Sequence, residues 1–505
     1  MFLLRLVLLC IMISFKNNWL VQWVASGVLL GAGFVFPALW WLGIVGIALV
    51  IHLTLTTSDR KELVLGSVLA WTIKSAMALV WFWSVYPMDW MGVDSSSLQI
   101  VLIFFWWMTA ALWLGAGGVA FMFGLKMLQR YTSKTILFVS IPFLWIASEM
   151  AGSLIFSIIT IGVGGSITTA FSFGYVGYLL AEHNLFIQVA QIAGVYSLGI
   201  TVVYISLGLF IFISQQHYKK MAYGLLAIFF LSGFIPLPVE QASNESHIVA
   251  IVDTDFGLSE LRTKEARNET QQKIESAVQA ALDYSPDYIL LPEDSRYFNQ
   301  QDNTQATAAQ FSFRTKSVNV VVVDSGRADE DNKAVVQSFI YNGQEGVVDQ
   351  SHKRYLVPQG EFMPSLYKAG LKLFGNDEII DQVSKNLTFE VGSKTSQHDH
   401  VASSPGVLFC FESVSPWGVR AVLQERGSVP FIAHPVSHAW FNEPQSLWGQ
   451  LDSMLRVQAI WNQQYIVSAG NFFHGYVVTP VGAIVYPETV ETGEDWSLGV
   501  VTITR

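Results

Sequence analysis

Apolar residues run in long, nearly unbroken stretches through the first half of the chain and in short runs split by polar turns through the second. Stretches at about 19–36, 38–57, 64–86, 98–124, 135–150, 187–213 and 221–237 approach the length of a bilayer crossing. They predict seven transmembrane helices. The stretch 2–15 is short for a span, and it either extends the first helix or lies in the interface. No A-x-A site follows it, so it reads as an uncleaved membrane segment rather than a signal peptide. The segment 151–186 is apolar but broken by Gly162, Gly164, Gly165 and Gly174, which suits a re-entrant or interfacial stretch. Lipid could enter there.

From Ser246 onward the pattern shortens to β-rich runs and amphipathic helices. Candidate strands are His247–Val252, Tyr288–Leu291, Val318–Val323, Gln337–Tyr341, Val407–Phe411, Phe431–Ala433 and Tyr465–Ser468, with helices at about 260–284 and 446–463. Strands alternating with helices predict a layered α/β domain. The chain therefore divides into a helical membrane domain, 1–240, and a globular domain, 241–505.

Composition sharpens this division. Hydrophobic residues make up 52% of the chain and charged residues 13%, half the usual charged share of a soluble domain. Ten of the 29 Lys and Arg residues precede position 241 and nineteen follow. Among the ten, Lys16, Arg60, Lys61, Lys126, Arg130, Lys134, Lys219 and Lys220 fall in connections on one side, while 87–97 and 151–186 carry none. The positive-inside rule then places the N-terminus in the cytoplasm and, after an odd number of spans, the globular domain outside it. A net charge of −10 without a basic cluster excludes nucleic acid as a partner. Within the apolar helices stand Lys74 and Glu149; pairing inside the bundle accounts for them as well as any functional role.

Three segments place reactive side chains at predicted strand ends, where loops on a rigid scaffold carry chemistry. YILLPEDS holds Glu293, SHKRYLVPQGEFMP holds Lys353 and Glu361, and GVLFCFES holds Cys410 and Glu412. Taken singly, each has a plain structural explanation: a solvated acid, a surface cation, a small buried hydrophobe. Together they form an acyl-transfer set. A thiol needs a base or a cationic neighbour to become a thiolate, and Glu293 and Lys353 supply both to Cys410. The Lys353 ammonium and a backbone N–H near Cys410 could hold an oxyanion. Cys10 lies in an apolar segment, so no disulfide framework is expected and Cys410 stays unpaired. His434, His438 and His474 are scattered on loops, and His398 and His400 share a polar turn. Solvated or packed histidines explain both sets better than a metal.

The order and flanks of these residues resemble the nitrilase superfamily, with its Glu, Lys and Cys triad. LVPQGEFMP, GAGFVFPALWWLGIVGI and PFLWIASEM, together with membrane spans ahead of the globular half, resemble one branch more closely, the apolipoprotein N-acyltransferase family. The resemblance implies an α-β-β-α sandwich, with Cys410 as nucleophile, Glu293 as general base, Lys353 as oxyanion stabiliser, and Glu361 and Glu412 in support. It implies a lid from Val357 to about Gly375, with Phe362, Met363, Leu366, Tyr367, Leu371, Leu373 and Phe374, that faces the bilayer. Phe362, Met363, Pro364 and Trp440 would touch substrate.

The implied reaction moves an acyl chain from a phospholipid, phosphatidylethanolamine being expected, to the α-amino group of a diacylglyceryl-cysteine at a lipoprotein N-terminus. It proceeds through a thioester on Cys410, without metal or organic cofactor, in a monomer of the bacterial inner membrane. Three departures stand against the family pattern. A further C-terminal helix is usual there, whereas this chain stops at Val500–Arg505; Ser437 to Phe441 replaces a stretch like Asn-Asp-Ala-Trp-Phe; and Gly470 to Phe473 replaces an Asn-Asn-Gly region. Glu149 also lacks a following basic residue. Two alternatives stay open: a membrane-tethered amidase in which water resolves the acyl-enzyme, and an inactive paralogue serving as a scaffold. An apolar route from bilayer to Cys410 would favour transfer over hydrolysis.

Overall fold

A computed structural model describes residues 18–88, 95–214, 224, 245–258, 264–298, 304–315, 319–330, 333–373, 389–392, 404–442 and 444–504. The predicted segment 2–15, all of 221–237 except residue 224, and His398, His400 and Phe374 lie outside them.

The apolar stretches form α1 (Trp19–Val35), α2 (Trp40–Thr56), α3 (Arg60–Ala78), α4 (Ser96–Gly115), α5 (Gly117–Tyr131), α6 (Lys134–Ile159) and α7 (Val195–Ser214). Side-chain caps begin several of them: Asp59 accepts from Glu62 N at 2.7 Å and Ser133 from Ile136 N at 3.4 Å. Among the described residues, three stretches are long and apolar enough to cross a membrane, Pro37–Thr56, Ser96–Tyr131 and Lys134–Ile159. Trp19–Val35 and Val195–Ile211 are shorter apolar helices. This is fewer than the seven spans the sequence predicts.

Three boundaries differ from the sequence reading. The stretch 98–124 is two helices that meet at Ala116, because Gly117 and Gly118 bring the backbone against Ser148 O and the Trp71 ring, where a Cβ would stand 2.2 and 2.5 Å away. The stretch 64–86 stops being α-helical at Ala78 and continues as a 3₁₀ segment, Val80–Val85. Finally, α6 runs through Ile159 rather than ending near 150, despite Pro142. The glycine-broken segment after it does not form an isolated loop. It lies against the globular domain, where Gly162 bridges Pro364 and Ser365 N donates to Ile161 O at 2.7 Å.

The globular domain is built from β1 (Ser246–Thr254), β2 (Tyr288–Leu290), β3 (Val321–Glu330), β4 (Lys333–Asn342), β5 (Gly346–His352), β6 (Gly406–Val407), β7 (Ile432–Ser437), β8 (Ile466–Asn471), β9 (Val477–Val478), β10 (Ile484–Val485), β11 (Glu488–Gly493) and β12 (Trp496–Thr504). Two sheets, β11-β12-β1-β2-β3-β4-β5 and β6-β7-β8-β9-β10, touch at one corner through the pair Thr254 and Asn471. The parallel neighbours β1, β2 and β3 need crossovers, supplied by α8 (Lys264–Leu282) and α9 (Thr304–Arg314); α11 (Gly418–Arg426) and α12 (Gln445–Asn462) do the same for β6, β7 and β8. A further helix, α10 (Ser365–Leu373), follows β5.

Alternation along the strands makes the layers. Val249, Ile251, Leu290 and Val323 face Val407, Phe409, Ala433 and Val467 across the space between the sheets. Their neighbours Ala250, Val252 and Ile289 pack outward on Ala277 and Val278 of α8, and Ile432 and Ile466 pack on Val422 of α11 and Ala459 of α12. The order is α-β-β-α, as expected from the resemblance.

The two parts of the chain share a core. Leu455 and Ala459 of α12 face the sheet, whereas Leu447, Leu451, Met454 and Val457 belong to the apolar cluster of the bundle. Polar contacts, one of them buried, join the two parts. Gln450 Nε2 donates to Ala78 O at 2.7 Å, Asn442 Nδ2 to Tyr86 O at 2.8 Å and Trp417 Nε1 to Tyr196 OH at 3.0 Å.

Candidate active site

Glu293 follows β2, and its N–H reaches across to Val436 O at 3.3 Å, so one strand end is bonded to the other sheet. Lys353 follows β5 and is almost wholly buried, at 1% exposure. Its Nζ lies 2.9 Å from Glu293 Oε1 and 2.7 Å from Glu361 Oε1. The other oxygen of Glu361 accepts from Val357 N at 2.8 Å, which closes the loop that carries it over the lysine. A lysine between two carboxylates is a cluster with net charge −1.

Cys410 does not lie in a strand, contrary to the sequence reading. The strand ends at Val407 and Cys410 opens a 3₁₀ turn, Cys410–Val414. Glu412 is the reason. Its carboxylate accepts from Phe409 N at 3.0 Å and from Arg354 N at 2.5 Å, which bends the chain after β6 and fastens it to the residue following Lys353. Glu412 is thus buried beside the site and holds two of its loops in register. Cys410 is half-buried, its Sγ 4.0 Å from Ser437 O.

Burial pushes the Cys410 thiol up, the Glu293 carboxylate adds to this, and Lys353 only partly opposes it. Glu293 is itself raised by burial and by Glu361, against the pull of Lys353. Burial works against the Lys353 ammonium, yet Glu293 and Glu361 outweigh it and hold it above the ordinary lysine value. At rest the site therefore carries a thiol, a permanent ammonium and a carboxylate able to take a proton.

These groups open into a cavity of about 200 Å³ whose walls are mostly apolar. From the globular domain come Met363, Pro364, Tyr367, Phe411, Trp440 and Phe441; from the bundle come Trp81, Phe82, Val85, Ile103, Trp106 and Phe173. Tyr367 of α10 meets Trp106 of α4 edge-on at 4.5 Å, so the helix of the expected lid seats on the bundle. Leu366 and Leu373 on the same helix are 59% and 86% exposed. Of the four expected substrate contacts, Met363, Pro364 and Trp440 line the cavity. Phe362 does not. It packs into the core between the sheets, because its backbone pairs with Pro358 in a tight turn that turns the ring inward.

His434 and His438 are packed, buried histidines. His434 Nε2 sits 3.3 Å from Cys410 O and its Nδ1 3.0 Å from Ser468 Oγ; burial lowers it to about 4. His438 lines the cavity, accepts from Trp448 Nε1 at 2.8 Å and is lowered by burial to about 3. Both are neutral imidazoles near pH 7. The exposed His474 faces Asp253 at 3.5 Å. Among the described residues, no group of three or more His, Cys, Asp or Glu side chains is arranged to hold a metal. Sequence reasoning missed the bundle's half of the cavity and the His434 contact with the Cys410 carbonyl. Neither left a local signal, since each joins residues far apart along the chain.

The chain is similar to proteins named apolipoprotein N-acyltransferase. The one from Geobacter metallireducens is 23% identical over 376 residues, 71% of this chain and 68% of that protein. Apolipoprotein N-acyltransferase 1 from Leptospira interrogans serovar Lai is 24% identical over 216 residues, 38% of each. The chain thus spans about two thirds of the first relative and well under half of the second. Among solved structures, Nit3 of Saccharomyces cerevisiae, a nitrilase-superfamily member, covers 52% of this chain and 90% of its own at 16% identity and a TM-score of 0.35. A nitrilase-superfamily amidase from Nesterenkonia covers 52% and 93% at 15% identity and a TM-score of 0.33. No family model matches the chain.

Proposed function

We propose that this protein is an N-acyltransferase of the bacterial inner membrane, moving a fatty acyl chain from a phospholipid to an N-terminal amine through a thioester on Cys410. One observation carries the reading: Cys410, Glu293 and Lys353 share a cavity whose apolar walls come from both the membrane helices and the globular domain. Such a wall suits an acyl chain and disfavours water, which a hydrolase would need.

In the first step Glu293 takes the Cys410 proton as sulfur attacks the ester carbonyl. The Lys353 ammonium stabilises the oxyanion. The departing lysophospholipid alkoxide takes the proton back from Glu293, leaving a thioester. In the second step the α-amine of a diacylglyceryl-cysteine attacks the thioester, Glu293 receives the amine proton and passes it to the leaving thiolate, and an amide is released. A raised thiol makes a base necessary, and a raised carboxylate is better matched to the task. The donor expected is phosphatidylethanolamine and the acceptor a lipoprotein, on the extracytoplasmic side. Two features support that side. Lys126, in the basic group, donates to Leu55 O and Thr57 O at the far end of α2, while the near ends of α1 and α2 meet the segment beside the globular domain.

The test supplies purified protein with phosphatidylethanolamine labelled in its acyl chain and a synthetic diacylglyceryl-cysteine peptide. Label in a hydroxylamine-resistant amide on the peptide supports the reading. Label released as free fatty acid would make the protein a hydrolase, and label left on phospholipid would favour a scaffold.

A further inference from the structure

The bundle contains a second lysine–carboxylate pair, set apart from the cavity. Lys74 Nζ lies 2.9 Å from Glu149 Oε1, with the two residues 4% and 3% exposed, and the ammonium stands 4.6 Å over the Trp71 ring. We infer that Glu149, with Lys74 as its counter-ion, is a positioning residue for the lipid-facing wall of the Cys410 cavity; this rests on the acyl-transfer reading above.

The connection runs through atoms. Glu149 Oε1 also accepts from Val176 N at 3.1 Å. One turn further along α6, Ser153 Oγ donates to Phe171 O at 2.5 Å and lies 2.9 Å from Tyr175 OH. Residues 171–176 are therefore fastened to α6 at both ends. Between these points, Phe173 lines the cavity with its ring 5.1 Å from that of Trp81. Phe171 meets Phe411 at 6.1 Å, and Ser172 Oγ donates to Val414 O at 2.6 Å. Val414 closes the turn that Cys410 opens. Lys74 belongs to α3, whose end continues into the Val80–Val85 segment of the opposite wall. The pair thus joins the helices that lead into two of the bundle-side walls, while Ile103 and Trp106 of α4 supply another.

Chemistry explains why an ion pair stands here. The backbone N–H of Val176 is fully buried and needs an acceptor, and a carboxylate supplies a strong one. A lone carboxylate there would be costly, and Lys74 neutralises it. Glu149 Oε2 has no hydrogen-bond partner among the described residues, so the acid is held by one oxygen alone.

Two charge-free double variants separate positioning from charge balance. Lys74→Met with Glu149→Gln keeps an oxygen for Val176 N, and Lys74→Met with Glu149→Leu removes it. Three readouts are compared: kcat/KM for long-chain phospholipid, the Cys410 burst with p-nitrophenyl acetate, and the melting temperature. Expected is a loss of roughly ten- to a hundredfold on phospholipid for the Leu variant, with the burst unchanged and the Gln variant close to the parent. Equal losses on both esters, or equal behaviour of the two variants, would overturn the inference while leaving the acyl-transfer reading standing. A parent that bursts with the soluble ester yet takes no acyl chain from phospholipid overturns that reading, and the inference with it.

Discussion

Two buried lysines, one in each half of the molecule, meet carboxylates at the same distance and serve different ends. Lys353 has Glu293 and Glu361 within 2.9 Å and faces a cavity, whereas Lys74 has Glu149 alone and is closed off by packing. The first cluster carries net charge −1, so one carboxylate stays available as a base beside a permanent cation. The second is neutral and has nothing to give, and it holds a backbone N–H in place. On the proposed acyl-transfer reading, charge stoichiometry and access, rather than residue type, separate a reacting site from a brace.

The comparison breaks first at sulfur. Replacing Cys410 with Ala should reduce acyl transfer roughly 10⁴- to 10⁶-fold with the fold retained, as measured by turnover and circular dichroism. Next comes Lys353→Met, which should lower kcat by about 10²- to 10³-fold through loss of the oxyanion's cation. It leaves two buried carboxylates together, so it should also destabilise the protein by about 3–5 kcal/mol, read as a lower denaturation midpoint. Lys74→Met should give a stability loss of that order while the burst with a small soluble ester persists. Equal catalytic damage at both lysines would erase the distinction drawn between them.

The smallest effect sharpens the account. The Glu361 charge raises Glu293, and Glu361→Gln removes that charge but keeps an acceptor for Lys353. Glu293 should then ionise at lower pH, so the acid limb of the kcat/KM profile should shift to lower pH. A shift the other way would mean that Glu361 acts mainly by holding Lys353 in place.

Glu293 and Cys410 were legible beside short apolar runs and Lys353 in the segment SHKRYLVPQGEFMP, and a base, a cation and a thiol together have a chemical meaning that none has alone. A layered α/β domain was legible from strands alternating with helices, and its α-β-β-α order was implied by the resemblance alone. Other features depended on contacts the linear pattern does not carry. The break at Ala116 depends on how closely α5 approaches Ser148 and Trp71. Cys410 leaves the strand because Glu412 turns back to Phe409 N, and Phe362, apolar like Met363 beside it, points into the core instead of the cavity. The strands β5 and β11 went unread, their alternation being interrupted by polar residues such as Asp349, Gln350, Glu491 and Thr492. Trp106 and Phe173 look like ordinary membrane-facing aromatics until the globular domain is placed against them.

The most direct measurement is intact-protein mass spectrometry of the wild type and Cys410→Ala after incubation with phosphatidylethanolamine and no acceptor. The account predicts a fatty-acyl mass increment on the wild type, removed by neutral hydroxylamine and missing from Cys410→Ala. An increment that survives without Cys410, or none on wild type whose Cys410 reacts with p-nitrophenyl acetate, would contradict it.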